Sequence, residues 1–324
     1  MKIGKMKIVI IESKDFSKHA LQLLSELGTV ILLDVQNENS LQDAIKDADV
    51  LFVRLQYYIS SKIIDIATQL KYILTATTGL DHIDVNYFES KGGEVVSLKG
   101  EYDFLSSIPS TAEHTWGLIL ALIRNIPKAF EDVKKGFWRR DLFKGNNLKG
   151  KRIGLLGLGR VGSQVAKYAE AFEMKIGFYD CKCKDKEIYK KFNNPEDLFS
   201  WADIISIHIP LNIENIHFVN KKLLDQVKSK TVLINTSRGA IIDELYLCEL
   251  IEKKAIKGYA ADVLEDEINS KNKIEIEKLV VLAKENYNVI LTPHIAGATY
   301  ESMELTEEFI VEKFYKKIKK NKIE

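Results

Sequence analysis

Short apolar, β-branched runs alternate with amphipathic stretches from one end of the chain to the other. In the first third the runs are KIVII (7–11), TVILL (29–33), VLFV (50–53), KYILTA (71–76) and EVVSL (94–98). Continuous apolar strands that alternate with helices predict a parallel sheet covered on both faces. Residues 1 to about 100 therefore read as a small doubly wound α/β unit. The segment KGEYDFLSSIPST (99–111) breaks the rhythm, and Pro109 followed by Ser110 and Thr111 marks a helix start. Residues 111–138 keep helical apolar spacing, with Pro127 expected to kink or divide the helix. After the turn-rich KGNNLKGK (144–151) the alternation restarts with RIGLLG (152–157), MKIGFYD (174–180), DIISIHI (203–209), TVLINT (231–236), GYAADV (258–263) and NVILT (288–292). That pattern predicts a second, larger parallel sheet. The last stretch (301–324) predicts a helix whose basic end suits a C-terminus.

A length of 324 residues fits roughly two domains, and 46% apolar residues are enough to fill their cores. With 47 basic against 46 acidic residues, no global field calls for nucleic acid or an anionic membrane. The longest apolar run, WGLILALI (116–123), is too short to span a bilayer. The start, MKIGKMKIVIIESKD, reads as a first strand and not as a signal peptide. Cys181, Cys183 and Cys248 form an odd, sparse set that fits a reducing cytosol, and a cytoplasmic protein is expected. The CKC pair at 181–183 lacks companion ligands and reads as surface thiols, so no metal is expected.

Four stretches carry chemistry. GLGRVG (157–162) follows an apolar strand and opens a helix, the context in which G-x-G-x-x-G binds a dinucleotide. Gly157 permits the tight turn, Gly159 lets a pyrophosphate approach the backbone, and Gly162 lets helix and strand pack closely. The second strand of this unit ends in Asp180, placed to hydrogen-bond adenosine ribose hydroxyls and to repel a 2′-phosphate. NAD is therefore expected over NADP, although Lys182 and Lys184 nearby weaken the preference. In NTSRGAIIDE (235–244), Arg238 sits at the carboxyl end of a strand. It either clamps a carboxylate bidentately or pairs structurally with an acid such as Asp243. In NVILTPHIAGAT (288–299), His294 follows Pro293 at another strand end, where a nicotinamide enzyme needs a proton shuttle. The last stretch, AADVLEDEIN (260–269), holds Asp262, Glu265, Asp266 and Glu267.

Gly157 to Gly162, Asp180, HIPL (208–211), INTSRG (234–239), the ADV…E run and TPHIAG (292–297) together resemble the D-isomer-specific 2-hydroxyacid dehydrogenase family, over essentially the whole chain. ATTGLDHID (76–84) is similar to that family's substrate loop. The resemblance implies an α/β fold with a Rossmann nucleotide-binding domain, 104–295, and a smaller flavodoxin-like doubly wound substrate domain, 1–103 with 296–324. It implies an NAD-dependent oxidoreductase interconverting a D-2-hydroxy acid and its 2-oxo acid in a cleft between the domains. His294 is then the acid/base, Glu267 orients it and raises its pKa, and Arg238 binds the substrate carboxylate. Cofactor contacts are implied for Gly157, Gly159, Arg160, Val161, Gly162, Asp180, His208, Ile209, Pro210, Asn215, Thr236, Ser237, Arg238, Asp262 and His294. Substrate contacts are implied for Arg54, Thr78 and Gly79 as well as Arg238, and a homodimer through the helix 111–126.

The chain also departs from the family. Ile268 replaces the usual proline after the catalytic glutamate, and the segment between Glu267 and His294 is longer than in short members. LQYY (55–58) replaces a small Ser/Thr-rich loop, and Tyr102, Asp103 and Phe104 either line an apolar substrate pocket or pack the loop. Glutamate at 267 argues against formate dehydrogenase, whose histidine has a glutamine partner. The competing reading is an NAD-sensing regulatory protein on the same scaffold, separable by turnover of a 2-oxo acid.

Overall fold

The computed structural model describes residues 6–182, 188–267 and 277–320. The chain divides into two compact units, Met1–Leu105 with Thr299–Glu324, and Ser106–Ala298.

The first unit contains β1 (Met6–Ile10), α1 (Lys18–Leu27), β2 (Gly28–Leu32), α2 (Glu38–Ile45), β3 (Val50–Phe52), α3 (Ser61–Ile66), β4 (Tyr72–Leu74), α4 (Val85–Ser90), β5 (Glu94–Val96) and α5 (Tyr102–Ser106). Its sheet has the order β2-β1-β3-β4-β5, with every pairing parallel. This is the flavodoxin-like doubly wound order, which reverses direction at β1/β3. Helix starts follow the side chains available. The Ser17 hydroxyl accepts the Ala20 N–H at 3.2 Å to cap α1, and the Asn37 amide oxygen accepts the Ser40 N–H at 2.9 Å to cap α2.

The second unit contains α6 (Ser110–Ile123), α7 (Ile126–Lys134), β6 (Arg152–Leu156), α8 (Arg160–Ala171), β7 (Lys175–Tyr179), β8 (Lys190–Lys191), α9 (Pro195–Trp201), β9 (Ile204–Ile207), α10 (Lys221–Leu224), β10 (Val232–Asn235), α11 (Glu244–Glu252), β11 (Gly258–Ala261), α12 (Lys278–Lys284) and β12 (Val289–Leu291). The sheet order β8-β7-β6-β9-β10-β11-β12 is that of a Rossmann fold with one strand added, and every pairing is parallel. The edge strand β8 is two exposed lysines, which carry no apolar signal. The predicted long helix breaks at Asn125, whose φ of 54° is left-handed. Pro127 then falls in the first turn of α7, where a missing N–H costs nothing. The apolar side of α6 is consumed inside the unit. Trp116 stacks on Phe172 with centroids 4.6 Å apart and donates its indole N–H to the Val165 carbonyl at 3.2 Å.

The chain returns to the first unit as α13 (Tyr300–Lys320), which packs against α1 and buries Ile310, Val311 and Phe314. Phe104 stacks on Phe309 of this helix with centroids 4.0 Å apart. Of the two readings of that aromatic loop, packing accounts for Phe104, whereas Tyr102 is 76% exposed. Among the described residues no helix is long and apolar enough to cross a membrane.

Candidate active site

The glycine-rich turn is built by close approaches. Gly157 has φ of 95°, and a Cβ there would stand 2.9 Å from the His208 carbonyl oxygen. A Cβ on Gly162 would stand 2.2 Å from the Gly157 oxygen, so the first turn of α8 seats directly on the loop. Gly159 faces open space, with no atom within 4 Å of where its Cβ would be. It precedes α8 with no side-chain cap, which leaves helix N–H groups for a phosphate. The Arg160 guanidinium is held below its ordinary pKa by burial, and a bound phosphate would offset that cost. Asp180 accepts the N–H of Leu158 and of Lys182, each at 2.8 Å, so its carboxylate closes the turn where the ribose of a dinucleotide would lie. An open glycine cradle, a free helix terminus and an acid at the end of β7 fit NAD.

The remaining cofactor positions gather at the carboxyl ends of β9 and β10. His208 bonds the Ser206 hydroxyl through Nε2 at 2.8 Å, and burial pushes its pKa down to about 3, so the ring is neutral. The methyl of Ile209 lies against Gly157, and Asn215 donates its amide to the Pro210 carbonyl at 2.8 Å. Thr236 shares a 2.8 Å hydroxyl bond with Thr115, and the Ser237 hydroxyl donates to Asn235 Oδ1 at 2.9 Å. Val161 lies half-buried in the first turn of α8.

The acid–base group forms on the neighbouring strands. Strands β10, β11 and β12 are adjacent and parallel, so the residues after them emerge on one edge of the sheet. Arg238 follows β10, Asp262 and Glu267 follow β11, and His294 follows β12. His294 Nδ1 lies 2.6 Å from Glu267 Oε1. Nδ1 must carry a proton to donate to that carboxylate, which leaves Nε2 as the atom that gains or loses one. The backbone of His294 is left-handed, with φ of 55°, and its N–H donates to the Asp262 carbonyl at 2.9 Å. Arg238 is half-buried and donates through Nη1 to the Ser237 carbonyl at 2.8 Å, and Asn235 grips the Arg238 carbonyl at 2.9 Å. Asp243 caps α11 by accepting the Tyr246 N–H at 3.0 Å.

Asp262 does more than its sequence position suggested. It is 1% exposed and accepts the N–H of Ile295 at 2.9 Å, the N–H of Ala296 at 2.7 Å and the hydroxyl of Thr292 at 2.5 Å. Burial alone would raise its pKa, but these bonds and the approach of His114 hold it below the ordinary value. The carboxylate thus ties down the turn that carries His294, and any contact to a nicotinamide carboxamide must share oxygens with those donors. His114, absent from the sequence reading, reaches this network from α6, with Nε2 2.9 Å from Thr292 Oγ1 and 3.4 Å from Asp262 Oδ1. Because the Thr292 hydroxyl donates to Asp262, His114 Nε2–H is the donor to Thr292. Nothing in a single sequence marks a histidine inside an apolar helix for that role.

In the first unit, Thr78 and Gly79 follow β4 in a loop held by Thr77, whose hydroxyl donates to the Gly79 carbonyl at 2.8 Å. Among the described residues neither backbone N–H is donated to a protein acceptor. Arg54, in the loop after β3, is already engaged. Its guanidinium pairs with Glu307, Nε at 3.1 Å, and gives a further bond to the Lys14 carbonyl at 3.1 Å. The substrate contact implied for Arg54 therefore competes with an ion pair to a carboxylate that is 1% exposed. Ile268, Cys183 and Lys184, which bore on other expectations, lie outside the described residues.

The strand order, glycine cradle and acid-paired histidine define a Rossmann-type nucleotide-binding oxidoreductase scaffold. More particularly, the chain belongs to the D-isomer specific 2-hydroxyacid dehydrogenase family, whose NAD-binding-domain profile matches residues 116–296. It is 34% identical to hydroxypyruvate reductase of Thermotoga maritima, over 93% of this chain and 95% of that protein. It is 35% identical to D-3-phosphoglycerate dehydrogenase of Methanocaldococcus jannaschii over 95% of this chain, which spans only 57% of that longer protein. The crystal structure of D-lactate dehydrogenase from Aquifex aeolicus, complexed with NAD and lactic acid, superposes with a TM-score of 0.81 at 28% identity, covering 97% of this chain and 95% of that one. The matched family model is that of an NAD-binding domain, and NAD is the cofactor of this chain.

Proposed function

We propose that the protein interconverts a D-2-hydroxy acid and its 2-oxo acid, using the Glu267–His294 pair as its proton relay. The observation that carries this reading is the 2.6 Å contact between His294 Nδ1 and Glu267 Oε1, on the same sheet edge as Arg238 and the glycine cradle. Gly157 to Gly162, Asp180 and the residues after β9 and β10 hold NAD, whose nicotinamide gives or takes a hydride when bound. The chain's own groups do the rest. His294 Nε2 delivers a proton to the carbonyl oxygen in reduction and removes it in oxidation. Glu267 fixes the tautomer and orients the ring. Arg238 binds the carboxylate and stabilises charge growing on the reacting oxygen. In the first unit, the Thr78 and Gly79 amides are suited to a carboxylate. Because Arg54 is paired with Glu307, we favour a short unphosphorylated 2-oxo acid over a phosphorylated one.

The test is a panel of glyoxylate, pyruvate, hydroxypyruvate and 3-phosphohydroxypyruvate with NADH and NADPH, followed by loss of reduced cofactor. NADH oxidation by an unphosphorylated member is expected. NADH binding without turnover of any member would refute catalysis and favour the cofactor-sensing alternative. A preference for 3-phosphohydroxypyruvate would refute the substrate assignment.

We also infer a homodimer in the cytosol. The expected contact helix, 111–126, is mostly spent inside its own unit. The exposed apolar side chains lie just beyond it, at Ile126, Phe130, Val133, Phe137, Trp138 and Leu142, with Trp138 87% exposed. A patch of this kind marks a protein contact, and a second copy of the chain is its proposed occupant.

A further inference from the structure

The acid that orients His294 sits on a short loop, residues 264–267. Within it, the Leu264 N–H reaches Glu267 Oε2 only at 3.4 Å. The loop is instead fastened to the turn that carries Arg238. A Cβ on Gly239 would stand 2.0 Å from the Leu264 carbonyl carbon and 2.2 Å from the Glu265 nitrogen, so the two backbones touch. On one side His217 donates its N–H to the Ala240 carbonyl at 2.8 Å and places Nε2 2.5 Å from Glu265 Oε1. On the other side Glu244, the first residue of α11, accepts the Glu265 N–H on Oε1 at 3.0 Å.

These three ties differ in what they can do. The Gly239 contact sets a separation but no direction. The His217–Glu265 pair is exposed on both partners, and water screens it. The Glu244 bond is directional and runs to the loop's own backbone, and its acceptor, Glu244, is half-buried although Glu265 is exposed. Burial pushes the Glu244 carboxyl up to about 8, against the pull of the Glu265 N–H, and the charges of Glu265, Glu277 and Glu267 push the same way. The other titratable groups around it are Cys248 on α11 and Tyr259 on β11, with Lys278 of α12 next to Cys248. At neutral pH Glu244 therefore carries a proton and accepts the Glu265 N–H through a neutral carbonyl oxygen.

We propose that Glu244 is a positioning residue for the acid–base pair: its carbonyl oxygen clamps the 264–267 loop to the Arg238 turn and keeps Glu267 within reach of His294. This rests on the reading of Glu267 and His294 as the proton relay.

The experiment uses the full chain with Glu244→Gln and Glu244→Ala. Steady-state rates are taken across pH on an accepted 2-oxo acid, alongside NADH affinity and amide exchange of the peptide covering 262–267. Thermal unfolding checks that both variants fold. E244A should lose about tenfold or more in kcat with NADH affinity unchanged and the peptide exchanging faster. E244Q, which keeps the accepting oxygen, should recover most of kcat at neutral pH. Wild-type kcat in E244A would overturn the proposal, as would equal loss in both variants at neutral pH. If the wild type turns over no 2-oxo acid, the functional reading fails separately. The clamp is then judged by amide exchange alone, and unchanged protection in E244A overturns it.

Discussion

At the scale of single residues, the proposed proton relay depends on one imidazole nitrogen. Glu267 occupies Nδ1 of His294 at 2.6 Å, so only Nε2 is available for chemistry. His294→Ala should therefore lower kcat by about a thousandfold with NADH affinity retained, checked by stopped-flow turnover and fluorescence titration. Full activity in that variant would refute the relay. Glu244 supplies a prediction about stability with a defined sign. Its carboxyl is raised in the folded chain from the ordinary 4.5 to about 8. Its contribution to stability is thus complete below pH 4.5 and is lost as pH rises through 8. Melting curves should show E244Q gaining on the wild type between those values and staying ahead at pH 9; parallel curves would contradict the shift. Glu267 and His294 were recognisable in the sequence because motif residues flank them at strand ends. Glu244 was not, because a Glu opening a helix is ordinary and only the approach of Glu265 gives it a partner.

At the scale of elements, two junctions carry most of the consequence. The first is between β6 and α8, where Gly162 rests against the Gly157 carbonyl oxygen. Gly162→Ala has no room and should push α8 off the turn, raising the NADH Kd by about tenfold or more, as read by fluorescence titration. An unchanged Kd would show that the turn yields freely. The second is between the loop after β3 and α13, where Arg54 meets Glu307. Burial pushes the Glu307 carboxyl up despite Arg54 and the Ser17 N–H, so the pair already bears a desolvation cost. Arg54→Ala leaves that carboxylate uncompensated and should destabilise the chain by about 3 kcal/mol or more in urea unfolding, whereas R54M/E307L should recover much of the loss. A substrate-only role for Arg54 predicts no change in unfolding. The strands were readable from period and β-branching. The break at Asn125 was foreshadowed by Pro127, but β8 was not visible, since two lysines on an edge lack the periodic signal.

At the scale of the whole molecule, the apolar surface from Ile126 to Leu142 is the feature that a monomer leaves unexplained. Phe130→Glu with Trp138→Glu should give a folded monomer by light scattering, and a persistent dimer would place the contact elsewhere. The sequence by itself determined the two parallel sheets and the glycine cradle, and it named Arg238, Glu267 and His294 as the candidate site. The sheets and the cradle follow from periodicity and a local motif, and the candidate acid–base residues follow from the family resemblance. Only the tertiary structure decided which groups are already spoken for. Arg54 is neutralised by a partner 253 residues away, and Asp262 is shared with His114 and the turn of His294. The loop that carries Glu267 is bonded to Glu244 through the Glu265 N–H. The physical reason is common to all three. A side chain's charge state and freedom depend on what is packed beside it and on how much water is removed, and segments remote in sequence supply both.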